Sequence, residues 1–376
     1  MDDLAQRDAS GVPDGPDAPG RPDAPRGLEE TGDDDPSGAA ADVRPERVRA
    51  ALADAVAAIG GSERPGQIQM GEAVAQAVVT GEHLLVQAGT GTGKSLAYLV
   101  PAALHADVTG EPVIVATATL ALQAQLVDRD LPSLAEAIEP ALGRPLRFAT
   151  LKGRSNYACL HRVRDGVPDD QGALVAADEL VSGSIGKDVV RAREWAEEQA
   201  KSGGTGDRDR LEPGVSDRAW TQVSVSAREC LGASKCPFGS ECFAERARGR
   251  AADVDVVVTN HALLAIDALE GVPVLPEHDT VVVDEGHELV GRVTSVASAD
   301  LSAGVVERAG KRARSYVDDG DARELTDAAD ALGKALADTP PGRLDPPLPE
   351  ALIAALAGVR DAARAVQSGF AASAKE

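Results

Sequence analysis

From Pro45 to Ile59 (PERVRAALADAVAAI) apolar side chains recur at helical spacing and stop at Gly60-Gly61, which predicts a helix with a glycine stop. Beyond Gly66 the pattern becomes helix, strand, glycine-rich turn, helix, strand, helix, strand, the alternation of an α/β domain. A helix is predicted near Gln67 to Val79, a strand at His83 to Ala88, a helix from Lys94 to Leu104, a strand at Pro112 to Thr117 and a helix from Leu120 to Asp128. A short strand, Leu146 to Leu151, follows. Two aliphatic runs, VDVVVT (Val254 to Thr259) and TVVVD (Thr280 to Asp284), read as strands buried on both faces of a parallel sheet.

The same pattern sets the expected domain limits. Between Lys152 and Arg250 the periodicity breaks, glycines and charges rise and all four cysteines occur, which reads as an insertion. From Leu289 onward the chain is alanine-rich and helical, with a proline-rich turn at Thr339 to Pro349. The expected order is therefore an acidic leader (1–42), the first part of an α/β domain (43–151), the insertion (152–250), the second part of the α/β domain (251–290) and a helical segment (291–376).

Composition narrows the class. The 376 residues are 43% hydrophobic, which excludes a wholly disordered chain, and only 2% aromatic, so Ala, Val and Leu must do the packing. Net charge is −23, and residues 1–40, rich in Asp, Pro and Gly, carry −8 of it; a disordered, self-repelling leader is expected. No run approaches the ~18 apolar residues of a spanning helix and no secretory leader opens the chain, so a cytoplasmic protein without membrane association is expected. Four cysteines in such a chain point to metal or redox chemistry rather than a disulfide scaffold. The acidic balance argues against a generic nucleic-acid coat, not against a local basic groove.

Two runs carry phosphate chemistry. Ala88-Gly89-Thr90-Gly91-Thr92-Gly93-Lys94-Ser95 lies between a predicted strand and a predicted helix, the context of a phosphate-binding loop. Glycines let backbone N–H groups converge on phosphate oxygens, and the helix N-terminus adds its positive dipole end. Lys94 is expected to reach the β and γ phosphates of ATP, and the Ser95 hydroxyl to complete a Mg²⁺ shell. At the end of the last predicted strand stands Asp284-Glu285-Gly286-His287: Asp284 as the Mg²⁺-side carboxylate, Glu285 as general base for the attacking water, His287 as a sensor of the γ-phosphate. Upstream, Gln67 of Arg64-Pro65-Gly66-Gln67 offers an amide that can both donate to and accept from an adenine edge.

Cys159, Cys230, Cys236 and Cys242 are spaced by a long gap and then two steps of six. Four thiolates suit a [4Fe–4S] cubane, one per iron. A zinc ribbon would more naturally show two close Cys pairs, and unligated thiols are the third reading. Lys152, Arg154, Arg162 and Arg164 flank Cys159 with no acid among them, and Tyr157, Trp220, Phe238 and Phe243 are four of only nine aromatics. Cations for phosphates and rings for bases are the ingredients of a single-strand channel. Phe238 and Phe243 read better as a small core around the metal.

Together these residues resemble the iron–sulfur helicases of superfamily two, the XPD-like group, and most closely the DinG-type bacterial helicases. The likeness runs from Glu63 to Val290 through RPGQIQM (Arg64 to Met70), QAGTGTGKSLAYLVPA (Gln87 to Ala102), ATATLALQAQL (Ala116 to Leu126), LKGRSNYACL (Leu151 to Leu160), the three later cysteines, VVVTNHALL (Val256 to Leu264) and VVVDEGH (Val281 to His287). The resemblance implies a RecA-like P-loop parallel sheet flanked by helices, an inserted iron–sulfur cluster domain and a C-terminal helical segment forming part of an arch. It implies adenine reading by Gln67 with Arg64, strand contact by Thr119 with Gln123, and a [4Fe–4S] cluster on the four cysteines; the basic cluster of Lys152, Arg154 and Arg162, with Tyr157, is expected to face DNA on its own charge and ring content. Thr119 also fits a plain helix N-cap. Asn260 and His261 belong to the stretch after the cluster and receive no role. The implied activity is ATP-dependent, 5′→3′ translocation on single-stranded DNA with unwinding of duplex junctions by a monomer. The family's later coupling motif and second RecA-like domain are not readable, so the expectation for these residues is ATP and DNA binding, weak hydrolysis and no unwinding. Two other classes stay open: a non-catalytic, ATP-responsive DNA-binding module, and a zinc-stabilised P-loop ATPase acting on a protein partner.

Overall fold

The structure, a computed structural model, describes residues 43–89, 91–164, 184–270 and 273–373. The expected leader, 1–42, lies outside the described residues, as does Thr90 of the phosphate loop. Helices α1 (Pro45–Ala58) and α2 (Pro65–Thr80) each begin on a proline, whose fixed φ suits a first helical turn and whose missing N–H is not needed there. Val48, Leu52, Ala55 and Val56 form the buried stripe of α1. Helix α3 (Lys94–Thr109) follows the phosphate loop directly and is buried continuously from Leu96 to Ala106, as expected of a helix enclosed by its neighbours.

Among the described residues four parallel strands pair in the order β2-β3-β1-β4: β1 (Val113–Thr117), β2 (Phe148–Thr150), β3 (Val256–Asn260) and β4 (Val281–Val283). β1 and the first four residues of β3 are fully buried, matching their unbroken aliphatic sequence. Helix α4 (Leu120–Gln125) continues through a π-helical turn, Leu126–Asp130, into α5 (Leu131–Leu142), whose Leu131, Leu134 and Ile138 are buried. The helix expected to stop at Asp128 therefore runs much further.

One expected strand is corrected. His83 to Ala88 joins no ladder among the described residues, and Leu84, Leu85 and Val86 are exposed, Leu85 completely. A strand needs a partner row of N–H and C=O groups, and among the described residues no strand of the sheet pairs with this run.

The insertion is the crossover between β2 and β3. It holds α6 (Leu160–Arg164), α7 (Ser184–Ser202), α8 (Asp217–Trp220) and α9 (Phe243–Ala252). Its core packs on one face of the sheet. Ile114 and Val257 point into the same buried cluster as Tyr157, Trp220 and Phe243, whereas Val115, Val256 and Val258 point into the cluster formed with α1, α3 and α5. Alternation of strand side chains thus splits the core in two. After β3 come α10 (His261–Glu270), then β4 and α11 (Leu289–Ala297). Helices α12 (Ala303–Ala313), α13 (Asp319–Ala337) and α14 (Glu350–Ser373) share a separate core of Val306, Leu325, Leu332, Leu352 and Val359. Among the described residues no helix is long and apolar enough to cross a membrane.

Candidate nucleotide site and cysteine pocket

The phosphate loop and the acidic strand end meet. β1 and β4 are adjacent, and the Asp284 amide continues their pairing by donating to the Ala116 carbonyl at 2.9 Å. Lys94, the first residue of α3, places its Nζ 2.7 Å from Glu285 Oε1. The contact raises the Lys94 ammonium above its ordinary value against the effect of burial, and holds the Glu285 carboxyl below the usual carboxylate range. Tyr98, one turn along α3, turns its hydroxyl to Asp284 Oδ2 at 3.4 Å. Burial, then the charge of Asp284, push that hydroxyl strongly upward, so it stays a donor. Asp284 Oδ1 accepts from the Glu285 amide at 3.1 Å.

Arg64 and Gln67 lie against the loop. The Arg64 guanidinium donates to the Gly91 carbonyl, and Gln67 Nε2 to the Gly93 carbonyl at 2.9 Å. Gly93 has φ +81°, and a Cβ there would stand 2.2 Å from the Gln67 amide nitrogen, so both backbone and neighbour demand glycine. Gln67 is 5% exposed. Thr92 closes the loop by donating to the Gly89 carbonyl at 2.9 Å. Ala88 is half-buried, as is Ser95, which hydrogen-bonds Tyr98. His287 is largely exposed, its Nδ1 3.6 Å from Glu285 Oε2.

His261 was given no role by sequence. It is fully buried, and its Nε2 stands 2.8 Å from the Asp284 carbonyl oxygen. Tyr98 was quoted only as part of a motif. The signal that could have found both is position: each sits a turn or less from a strand end or loop that carries chemistry.

The four cysteines, 71 residues apart at the widest neighbouring step, line one pocket with Arg154 and Phe238. Cys159 and Cys242 each stand at the start of a helix, α6 and α9, with backbone N–H groups following. The Gly232 amide donates to Cys230 Sγ at 3.4 Å. A Cβ at Gly239 would strike the Ala233 carbonyl at 2.2 Å, so the turn between Cys236 and Cys242 closes only around glycine. Burial pushes the Cys159 thiol up, and the charges of Cys242 and Cys236 add to this. The positive charge of Arg154 faces Cys230 and Cys242. Among the described residues no three Cys, His, Asp or Glu side chains converge on a single-ion position. Four thiols lining one pocket equal in number the thiolates that a [4Fe–4S] cubane takes, and equally those of a Cys₄ zinc site.

The expected DNA contacts are placed otherwise. Lys152 is 7% exposed and its Nζ lies 2.6 Å from Asp207 and 2.7 Å from Asp209. Tyr157 is buried, its hydroxyl pushed up to about 12 chiefly by burial and accepting from the Lys152 amide. Arg154 pairs with Glu245, Arg162 with Glu229 at 2.9 Å, and Arg164 with Glu197 and Glu241. Gln123 is fully buried and donates to the Val258 carbonyl at 3.0 Å. Thr119 is exposed and caps α4, its hydroxyl accepting from the Leu122 amide at 3.2 Å. Trp220 and Phe243, like Tyr157, pack the insertion core, and Trp220 Nε1 donates to the Ser155 carbonyl at 2.7 Å. These cations and rings pair and pack within the insertion, while Gln123 and Lys152 also line a pocket with Asp128, Asp207, Asp209 and Arg210.

Residues 67–148 match the DEAD/DEAH box helicase family. The ATP-dependent helicase DinG of Mycobacterium tuberculosis (strain ATCC 25618 / H37Rv) is 54% identical over 299 residues, 78% of this chain and 44% of the relative. The ATP-dependent DNA helicase YoaA of Escherichia coli (strain K12) is 38% identical over 249 residues, 65% of this chain and 36% of the relative. The ATP-dependent DNA helicase DinG of Salmonella choleraesuis (strain SC-B67) is 33% identical over 230 residues, 59% of this chain and 31% of the relative. The chain spans less than half the length of these curated relatives.

Proposed function

We propose, for a chain that carries a DEAD/DEAH box helicase domain of the DinG and YoaA type, that it is the ATP-binding part of an ATP-dependent DNA helicase moving 5′→3′ on single-stranded DNA and opening duplex junctions. The observation that carries this reading is the 2.7 Å contact of Lys94 with Glu285, which joins the phosphate loop to the acidic strand end. ATP entering the loop offers Lys94 its β and γ phosphates in place of the carboxylate. Glu285 is then released to orient and deprotonate the attacking water. Ser95 and Asp284 would hold Mg²⁺, with the Tyr98 hydroxyl orienting the Asp284 carboxylate. Arg64 and Gln67, held against the loop, would read the adenine, and His287, beside Glu285, would sense the γ-phosphate. Thr119, exposed at the carboxyl edge of the sheet, is the strand contact retained.

Cys159, Cys230, Cys236 and Cys242 would hold a [4Fe–4S] cluster in their shared pocket. Bound there, it supplies a covalent tie between segments distant in sequence and a site whose charge changes on oxidation or reduction. The amide of Gly232 and the guanidinium of Arg154 offset thiolate charge.

The test is ATP hydrolysis by the 376-residue chain with and without single-stranded DNA, beside Lys94→Ala. Turnover that rises with DNA and vanishes in the variant is expected. ATP and DNA binding without any turnover would make the chain a non-catalytic module instead. Turnover indifferent to DNA, in a protein holding zinc and no iron, would point to a protein substrate.

A further inference from the structure

Glu285 carries the one positive φ of a non-glycine residue among the described residues, +55°. The left-handed region crowds Cβ against the carbonyl, and such a conformation persists where its surroundings enforce it. The peptide that must be held is the one joining Asp284 to Glu285. Its oxygen is the Asp284 carbonyl, 2.8 Å from His261 Nε2.

His261 comes from elsewhere in the sheet. It follows Asn260 at the end of β3 and opens α10, where Asn260 Oδ1 accepts from the Leu263 amide at 2.9 Å and fixes the helix start. β1 lies between β3 and β4. The hydrogen bond of the imidazole therefore links the ends of two strands that are not neighbours, along the carboxyl edge where open α/β sheets bind ligands. No part of the ring is exposed.

We propose that His261 is a positioning residue for ATP hydrolysis: its Nε2–H donates to the Asp284 carbonyl and so holds the left-handed turn that aims Glu285 at the phosphate loop. This rests on the reading of Glu285 as the group that orients the attacking water. The bond requires the tautomer with its proton on Nε2. Because β3 is the strand on which the chain re-enters the sheet after the insertion, the same bond ties the end of that strand to the turn that carries Glu285.

The experiment compares His261→Leu and His261→Gln in the 376-residue chain. A glutamine amide can donate to the same carbonyl; leucine fills space and cannot. His261→Leu is expected to speed hydrogen exchange at 284–288 by about tenfold or more, with exchange across 91–95 unchanged. It should lower kcat about tenfold to a hundredfold with KM for ATP within about twofold, the signature of a misplaced base. His261→Gln should recover most of both effects. Unchanged exchange at 284–288 in His261→Leu, or equal losses in the two variants, overturns the proposal. Exchange over β1 and β3 shows that each variant is folded. If the unsubstituted chain turns over no ATP, the proposed function fails, and the exchange measurement still decides the histidine bond.

Discussion

At the scale of single residues, Lys94 and Glu285 restrain one another. A carboxylate 2.7 Å from the ammonium competes with the phosphates for the same donor. The pair is intact while both partners are charged. It weakens as pH falls through the lowered Glu285 value or rises through the raised Lys94 value, so it is fully present at neutral pH. Glu285→Gln removes the competing charge and the base together. ATP affinity should rise about threefold, the worth of a part-exposed ion pair, while turnover falls about a hundredfold or more. Titration of a fluorescent ATP analogue, beside steady-state hydrolysis, reads both; weaker binding would mean that the pair organises the loop rather than blocks it. The phosphate loop, Asp284 and Glu285 were legible in sequence because their chemistry is local, a few residues at fixed spacing next to a strand. Lys152 was not. Its acids are 55 and 57 positions away, so an apparently unopposed cation is neutralised only once the insertion folds. The partner of Gln123 was hidden for the same reason, since the carbonyl it serves lies 135 positions on.

At the scale of elements, hydrophobic periodicity located β1, β3, β4 and the helices around them, because each buries a face that its own sequence displays. It failed where an element depends on a neighbour. The run HLLVQA at His83 to Ala88 has strand composition but no ladder among the described residues. Helix α7, nineteen residues in a stretch read as aperiodic, has a mostly charged surface and buries little beyond small side chains such as Ala192 and Ala196. The unpaired run leaves Leu85 fully exposed, and β4 pairs with β1 alone among the described residues and exposes Val281. Open strand edges beside exposed aliphatic side chains are association sites. Leu85→Lys should therefore leave thermal stability within about 0.5 kcal/mol and reduce concentration-dependent association of the 376-residue chain in light scattering. A large loss of stability would show that Leu85 packs against something in solution.

At the scale of the whole molecule, the sheet separates two cores that serve different chemistries. Helices α1, α3 and α5 and the phosphate loop rest on the cluster containing Val115, Val256 and Val258; the cysteine pocket rests on the cluster containing Ile114 and Val257. The segment from Ser226 to Cys242, all of it described, has no buried residue, and short turns carry its backbone hydrogen bonds. With so little apolar burial, the proposed ligation at Cys230, Cys236 and Cys242 would supply most of what holds this segment folded. Cys236→Ser should then lose bound iron and open this segment to trypsin at the exposed Arg228 and Lys235. Nucleotide affinity should stay within about twofold, because sites with separate packing and no shared partners respond nearly independently. Iron and sulfide analysis, limited proteolysis and ATP-analogue binding on the same preparation test this. A segment that resists trypsin without metal would show that its turns suffice. Nucleotide binding lost together with iron would show that the two faces of the sheet fold as one, with the bond from His261 to Asp284 as the first place to look for the coupling.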